Sequence, residues 1–354
     1  MYFNRPALIS HFSELGKRIH AWLRDETTCP ALSAAVQKSM TENSWFTAGN
    51  IRYALAAIAS DMLDAQRLQD WLAAYPVAKS RKQAGVIMAG NIPLVGFHDF
   101  LCVLASGHSF TGKLSHRDAF LLPALASILT GIHPGWRSRI AFSETLPVRG
   151  MDFFIATGSD TSAHYFETIA AAMHASGGGR SLIRRNRRSV AVLSGDETEE
   201  ELNGLANDLF GYFGWGCRNV SLLYVPEGYC WQPLAAVLSA QQTLLQHTGY
   251  ANNYRYQKAL LSLQGKPFHD VSVALLCEDA SLHAPPAVVH YRYYTAIGDA
   301  LKSIEQQRGQ IQCVVSRAMN CDNFCTFGHA QRPSLHDYAD GVDTMKWMTG
   351  WAMS

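Results

Sequence analysis

The chain has 354 residues, of which 48% are hydrophobic and 17% charged, with a mean hydropathy of -0.05. A disordered chain would be poorer in apolar residues and richer in charge, so wholesale disorder is excluded. Thirty basic against 29 acidic residues leave a net charge of +1, which does not describe a dedicated nucleic-acid or membrane-surface binder. At roughly 150 residues per domain the length predicts two domains. No apolar run reaches the roughly 20 residues of a membrane span; the strongest, residues 119–132, contains Pro123 and Gly131. The first residues lack a charged segment followed by an apolar one, so no signal peptide is expected. The eight cysteines form no CxxC pair and no disulfide framework, as in a reduced, cytoplasmic protein.

Taken in chain order, the first 75 residues read as helices. Leu8, Phe12, Leu15, Ile19 and Leu23 recur at three- and four-residue steps, and Ile51, Leu55, Ile58 and Leu63 do much the same. From Ala84 short apolar runs alternate with helical stretches. Strands are predicted at 84–88, 109–114, 152–157, 189–194 and 221–226, with helices from about 95 and near 119–130, 161–174 and 198–212. Helices near 232–247 and 253–264 follow, then strands at 271–276, 287–294 and 311–316. Such alternation predicts parallel sheets covered by helices. The one charge run, Arg180, Arg184, Arg185, Arg187 and Arg188, suits either a phosphate-rich ligand or a solvated boundary loop.

Four short features carry chemistry. GWGCRNVS at 214–221 places Cys217 between a helix and a strand, where Gly214 and Gly216 allow close approach and the adjacent Arg218 favours a thiolate. By itself this is either a nucleophile or a small core residue. Gly90-Asn91-Ile92-Pro93 follows the first strand, at the carboxyl end where open α/β sheets bind ligands. An amide there is either an oxyanion donor or part of a turn. Gly112-Lys113-Leu114-Ser115 follows the second strand, and Lys113 suits ribose hydroxyls, a phosphate or plain solvent. Thr157-Gly158-Ser159 enters a helix and is either a phosphate-binding turn or an N-cap. No GxGxxG and no GxxxxGK[ST] is present. Cys321, Cys325 and His329 form a C-x3-C-x3-H pattern, but a zinc site needs a fourth ligand, so packing is the expectation and no metal is predicted.

In this order the four features resemble the aldehyde dehydrogenase superfamily, with Glu278 standing where that superfamily carries a Glu-x-Phe-Gly-Pro segment. The closer resemblance is to acyl-CoA reductases of the bacterial luminescence type, the LuxC family, in their short bacterial form. It rests on VIMAGNIPLVGFHDFLCVLASGH (86–108), IATGSDTSAHYF (155–166), SVAVLSGDETEEEL (189–202), YFGWGCRNVSLLYVPEGY (212–229), YANNYRYQKAL (250–260) and DYADGVDTMKWM (337–348). The resemblance implies two α/β domains with a Rossmann-like parallel sheet and a helical N-terminal segment. Residues 1–185 would hold the dinucleotide, 186–354 would carry the nucleophile, and the active site would lie in the cleft between them. It implies Cys217 as nucleophile, Asn91 as oxyanion amide and Lys113 at the adenosine ribose. Thr157, Gly158 and Ser159 would hold the pyrophosphate, and Glu278 the nicotinamide ribose.

Two departures refine that picture. Hydrolytic members place a glutamate base in a Leu-Glu-Leu-Gly-Gly segment, and counting back from Ser189 that position falls near Arg184, with no acid between Arg180 and Val190. Without the base, water is not activated against the acyl-enzyme, which suits transfer from a thiol such as CoA. NAD-preferring members often carry a glutamate three residues after the lysine. Here it is His116, so a 2'-phosphate is tolerated, with Ser115 or His116 in contact with it. The expectation is an NADPH-dependent acyl-CoA reductase, with NADH possible as donor and CoA as the leaving group. The alternatives are an NAD(P)-dependent aldehyde dehydrogenase, a partner-dependent reductase acting on acyl carrier protein thioesters, and a non-catalytic acyl-binding subunit. An acyl-activating or transferase partner is compatible with each, and the superfamily's usual tetramer is not assumed at this length.

Overall fold

The computed structural model describes residues 3–350 apart from 77, 79, 147–149, 176–178 and 318–322. Residues 1–186 with 333–354 make one compact unit, and residues 187–332 make a second.

The first unit opens with α1 (Arg5–Arg24), α2 (Pro30–Glu42), α3 (Ala48–Ala57) and α4 (Ala65–Ala73). The Asn4 side chain accepts from Ala7 N and starts α1, and Asp64 does the same for α4 through Arg67 N. The predicted stripe of α1 is buried at Leu8, Phe12, Leu15 and Ile19, with Trp22 completing it. The unit continues with β1 (Gln83–Ile87), α5 (Phe97–Ala105), β2 (Ser109–Lys113), α6 (Leu121–Ile132), β3 (Ile140–Phe142), β4 (Phe153–Thr157), α7 (Asp160–Ala175) and β5 (Arg180–Arg184). Its strands form one parallel sheet in the order β3-β2-β1-β4-β5. Burial of every α5 residue but His98 explains why residues 97–105 carry no polar stripe.

The second unit contains β6 (Arg188–Val192), α8 (Glu199–Phe210), β7 (Val220–Pro226), α9 (Trp231–Ser239), α10 (Thr248–Leu263), β8 (His269–Asp270), β9 (Leu275–Glu278), β10 (Val288–Tyr294), α11 (Ile297–Gln306), β11 (Ile311–Val315) and β12 (Phe324–Cys325). Its sheet runs β12-β11-β6-β7-β10-β9-β8, and only β8 is antiparallel to its neighbour. Both expected features, a parallel-sheet α/β architecture and a helical N-terminal segment, are present.

Three sequence expectations need correction. The C-terminal residues, expected in the second domain, belong to the first unit. There α12 (Thr344–Thr349) packs on α5, and Leu335, Tyr338, Met345 and Met348 are buried in that unit's core. Trp71 Nε1 donates to the Tyr338 hydroxyl at 2.7 Å, and Tyr75 bonds both Tyr338 (2.6 Å) and Asp343 (3.0 Å). The arginine run is not one solvated loop: it spans β5, the connection 185–187 at the boundary between the two units, and β6. Arg180 and Arg184 lie on β5, and Arg184 pairs with Asp99 at 2.5 Å while donating to Thr344 Oγ1. Arg180 bonds the Trp347 carbonyl and Arg185 pairs with Glu167. The strand expected at 271–276 begins only at Leu275. Ser272 sits at φ +67°, with its N–H on Asp270 Oδ1, and turns the chain between β8 and β9.

Candidate active site

The carboxyl edge of the first sheet gathers most of the predicted binding residues. Ile87 is level with Lys113 on one side and Ala156 on the other, so β1, β2 and β4 end together. Asn91 follows β1, Lys113 ends β2 with Ser115 and His116 beyond it, and Thr157 ends β4 with Gly158 and Ser159 beyond it. Seven of the residues singled out in the sequence thus share one edge. Asn91, Lys113, Ser115, Thr157 and Gly158 are half-buried, and His116 and Ser159 are exposed.

The Asn91 loop is held in place by its neighbours. Met88 N donates to the Lys113 carbonyl at 3.0 Å, and Leu94 N donates to Asp118 Oδ2 at 2.7 Å. Leu94 adopts φ +59°, a conformation that a leucine keeps only when its surroundings impose it. Burial pushes the Asp118 carboxyl up to about 7, against the lowering effect of the Leu94 hydrogen bond. Gly90 has no room for a side chain: a Cβ would lie 2.6 Å from Ser115 Cβ and Oγ. Gly158 is similarly enclosed, 2.8 Å from Phe166. Ser159 caps α7, accepting from Ser162 N at 3.3 Å, so the N-cap reading of this residue is satisfied in place.

In the second unit the nucleophile candidate sits on a tight turn before β7. The chain reaches it through three left-handed residues, Tyr212 (φ +52°), Phe213 (φ +58°) and Gly214 (φ +79°). Only the glycine adopts this conformation without steric cost. Asn219 N donates to the Gly216 carbonyl at 3.1 Å, and Gly216 N donates back to Asn219 Oδ1 at 2.8 Å, which fixes Cys217 and Arg218 at the tip. The Asn219 amide also donates to the carbonyls of Asp208 (3.0 Å), Leu209 (3.2 Å) and Gly211 (2.9 Å). Ser189 Oγ donates to the Cys217 carbonyl at 3.1 Å, tying the turn to β6. Cys217 itself is half-buried.

Arg218 Nε donates to the Ala330 carbonyl at 2.6 Å. The segment bearing Ala330 is anchored by Asp208, which accepts from Gly328 N (2.7 Å) and Ala330 N (3.0 Å) and is pushed up to about 7 by burial. Burial lowers the Arg188 pKa, and the nearby Cys217 opposes the fall. Sequence reasoning missed both Arg188 and Asn219. Arg188 was hidden in the charge run, and Asn219 gave no signal beyond its place in the motif.

Arg188 and the Gly214, Trp215 and Asn219 flanks of the cysteine turn border an open cavity walled by Phe210, Phe213, Tyr250, Pro285 and Pro286, among others, and Cys217 itself is not in the lining. Glu278 is not part of it. It ends β9 level with Tyr291 of β10, which pairs with Leu223 in the middle of β7, and Cys217 precedes the amino end of that strand. The part of the expected Glu-containing segment that reaches the cavity is residues 284–289, at the amino end of β10. Among the described residues no three His, Cys, Asp or Glu are placed to hold a metal. Cys321 lies outside the described residues, Cys325 hydrogen-bonds Cys313, and His329 Nδ1 is 3.0 Å from the Thr326 hydroxyl. No described helix is long and apolar enough to cross a membrane.

No protein-family model and no curated protein matches the sequence. Solved structures do match. Aldehyde dehydrogenase 21 from Physcomitrella patens, in complex with succinate, aligns over 98% of this chain and 85% of its own at 12% identity, with a TM-score of 0.65. An NAD+ complex of aldehyde dehydrogenase from Bacillus cereus aligns over 90% and 72%, at 12% identity and a TM-score of 0.62. The chain has the aldehyde dehydrogenase fold. An NAD-dependent aldehyde dehydrogenase from Sinorhizobium meliloti adds a third match, over 91% and 72% at 10% identity and a TM-score of 0.60. In this fold the two sheets described above are the frames on which Asn91 and Cys217 are each carried.

Proposed function

We propose that the protein is an NADPH-dependent acyl-CoA reductase that releases an aldehyde through an acyl-Cys217 thioester. Two observations carry the reading together: a Cys217 turn held by hydrogen bonds, and an arginine-rich segment around Arg184 near the position counted for the hydrolytic glutamate. Arg184 is closed into a buried ion pair with Asp99, so that segment offers water no base.

The carboxyl edge of the first sheet fits a dinucleotide. Gly90 and Gly158 leave their Cα atoms bare, the start of α7 offers N–H groups to a pyrophosphate, and Lys113 brings an ammonium for the adenosine ribose. From Lys113 to Arg117 the chain holds no carboxylate to repel a 2'-phosphate, and Ser115 and His116 lie within that stretch. When bound, the dinucleotide supplies the hydride.

The remaining steps belong to this chain. Cys217 Sγ attacks the thioester carbon, the new C–S bond forms, and the bond to the CoA sulfur breaks with its electron pair leaving as the thiolate. The Asn91 amide and the Cys217 N–H hold the oxyanion. After reduction the hemithioacetal collapses, and Cys217 leaves as a thiolate while the aldehyde forms. CoA is a good leaving group, so the first half needs no strong general acid.

The test follows NADPH absorbance with a panel of acyl-CoAs, for the wild type and Cys217→Ala. The expected result is acyl-CoA-dependent NADPH oxidation with aldehyde formation, both lost in the variant. CoA-independent oxidation of aldehydes to acids would overturn the reading in favour of an aldehyde dehydrogenase. Turnover only with acyl carrier protein thioesters would replace the donor.

A further inference from the structure

One buried carboxyl joins two loops at the carboxyl edge of the first sheet. Asp118 closes the short turn that follows β2, and it is 7% exposed. Its Oδ2 accepts from Leu94 N, in the loop that follows β1 and carries Asn91. Its Oδ1 is buried without a hydrogen-bond partner. Burying a half-matched carboxyl costs free energy, and so does the left-handed backbone of Leu94 at φ +59°. Both costs meet at a single contact of 2.7 Å. Such costs persist where the surrounding structure imposes them, and they gather where geometry is held for function.

The base of this brace is fixed independently of the loop it holds. Asp118 N donates to the Ser115 carbonyl at 3.0 Å, and Ser115 Oγ accepts from Arg117 N at 3.2 Å. Asn43, just after α2, donates from its amide to the Arg117 carbonyl at 3.1 Å, while its Oδ1 accepts from Trp45 N at 3.1 Å. The held loop meets the same segment a second time, because a Cβ on Gly90 would lie 2.6 Å from Ser115 and 3.2 Å from Arg117 Cβ. Asn91 follows Gly90 directly and precedes Leu94 by three residues, so it lies between the two points of attachment. Past Leu94, whose carbonyl accepts from Phe97 N at 2.9 Å, the chain enters α5.

We propose that Asp118 is a positioning residue for the reaction: through Leu94 it holds the Asn91 loop against the segment 113–118, so that the oxyanion donor is placed by the segment that carries Lys113 and Ser115 at the cofactor edge. The proposal rests on the reading of Asn91 as the oxyanion donor. Asparagine in place of Asp118 keeps an acceptor for Leu94 N. Alanine leaves the N–H of buried Leu94 without that acceptor and frees the residue from its left-handed conformation. A displacement of ~1 Å at a reacting group costs about a hundredfold in rate.

The test measures acyl-CoA reduction and native hydrogen exchange in Asp118→Ala and Asp118→Asn. Asp118→Ala should lower kcat at least tenfold with less than a threefold change in the KM for NADPH, and Asp118→Asn should recover most of the loss. In the Asn91→Ala background, Asp118→Ala should lower kcat less than twofold, because its effect passes through Asn91. Losses that multiply, or no recovery by asparagine, would overturn the proposal. Exchange of the peptide 88–96 should quicken at least tenfold in Asp118→Ala while a second-unit peptide, 253–260, stays unchanged. Equal quickening of both peptides would mark a global loosening and overturn the brace. A further measurement uses the wild type alone, so it does not depend on the variants folding. The Leu94 amide should exchange at least a hundredfold more slowly than an unstructured amide, and unprotected exchange refutes the brace. Selective quickening of 88–96 with no thioester reduced by the wild type would keep the brace and refute the reductase.

Discussion

Replacing Asn219 with alanine tests how much the nucleophile's turn depends on one buried amide. Asn219 is 2% exposed, so water does not substitute for the lost group. Its two N–H bonds are shared among three carbonyls, and its oxygen accepts from Gly216 N, which amounts to three full hydrogen bonds. At about 1 kcal/mol net each, their loss costs about 3 kcal/mol, and the stranded Gly216 N–H adds about 1 kcal/mol or more. The expected loss is therefore about 4 kcal/mol from the second unit, large against a typical total of 5–15 kcal/mol. Urea unfolding followed by tryptophan fluorescence measures it, and native alkylation of Cys217 reports the turn directly. Asn219→Asp should be at least as damaging, because it keeps the acceptor for Gly216 but turns a carboxylate toward three carbonyl oxygens. Loss of less than 1 kcal/mol in Asn219→Ala, with Cys217 reactivity unchanged, would refute the claim that this amide holds the turn.

Other outcomes follow from the same geometry. Asp99→Asn should destabilise the first unit by about 3–5 kcal/mol in urea titrations, because it leaves the Arg184 guanidinium buried without its counter-charge. Asp118, raised from 3.8 to about 7, binds a proton more tightly folded than unfolded, so its contribution to stability is lost as pH rises from about 4 to about 7. Asp118→Asn keeps an acceptor for Leu94 N and should remove that slope, gaining at most about 4 kcal/mol at pH 8 relative to the wild type, measured as the difference in unfolding free energy between pH 4 and 8. Gly90→Ala places a methyl group 2.6 Å from Ser115 and should raise the KM for NADPH with a smaller effect on kcat. Asn91→Ala should lower kcat by about 10²–10³ if its amide holds the oxyanion.

The hierarchy of these effects follows from how the two sheets present their ends. On the first sheet the chemistry sits at the carboxyl ends of adjacent parallel strands, where loops leave the sheet side by side. On the second sheet the cysteine precedes a strand, at the amino end, and its position depends on hydrogen bonds from α8, β6 and the segment at 328–330. Loop residues of the first site answer to neighbouring loops, and the cysteine turn answers to the core beneath it.

The sequence by itself determined the layered α/β architecture, the helical N-terminal segment and the strand ends that carry Asn91, Lys113 and Thr157. These are local matters: period-3.6 and strand-length apolar runs report burial, and a glycine-containing turn after a strand reports where the chain leaves a sheet. Only the tertiary structure decided the rest. The C-terminal segment joined the first unit because Tyr338 finds Trp71 and Tyr75 there, partners more than 260 residues away in the chain. The arginine run divided its members between a buried ion pair and a cavity wall, since the cost of burying a charge depends on which partner the fold supplies. Arg188, distant in the chain, came near Cys217, and Arg218 reached the Ala330 carbonyl, neither of which a local pattern encodes. Glu278 came to stand level with Leu223 in the middle of β7, outside the cavity lining, because strand register, which no local pattern encodes, set its place.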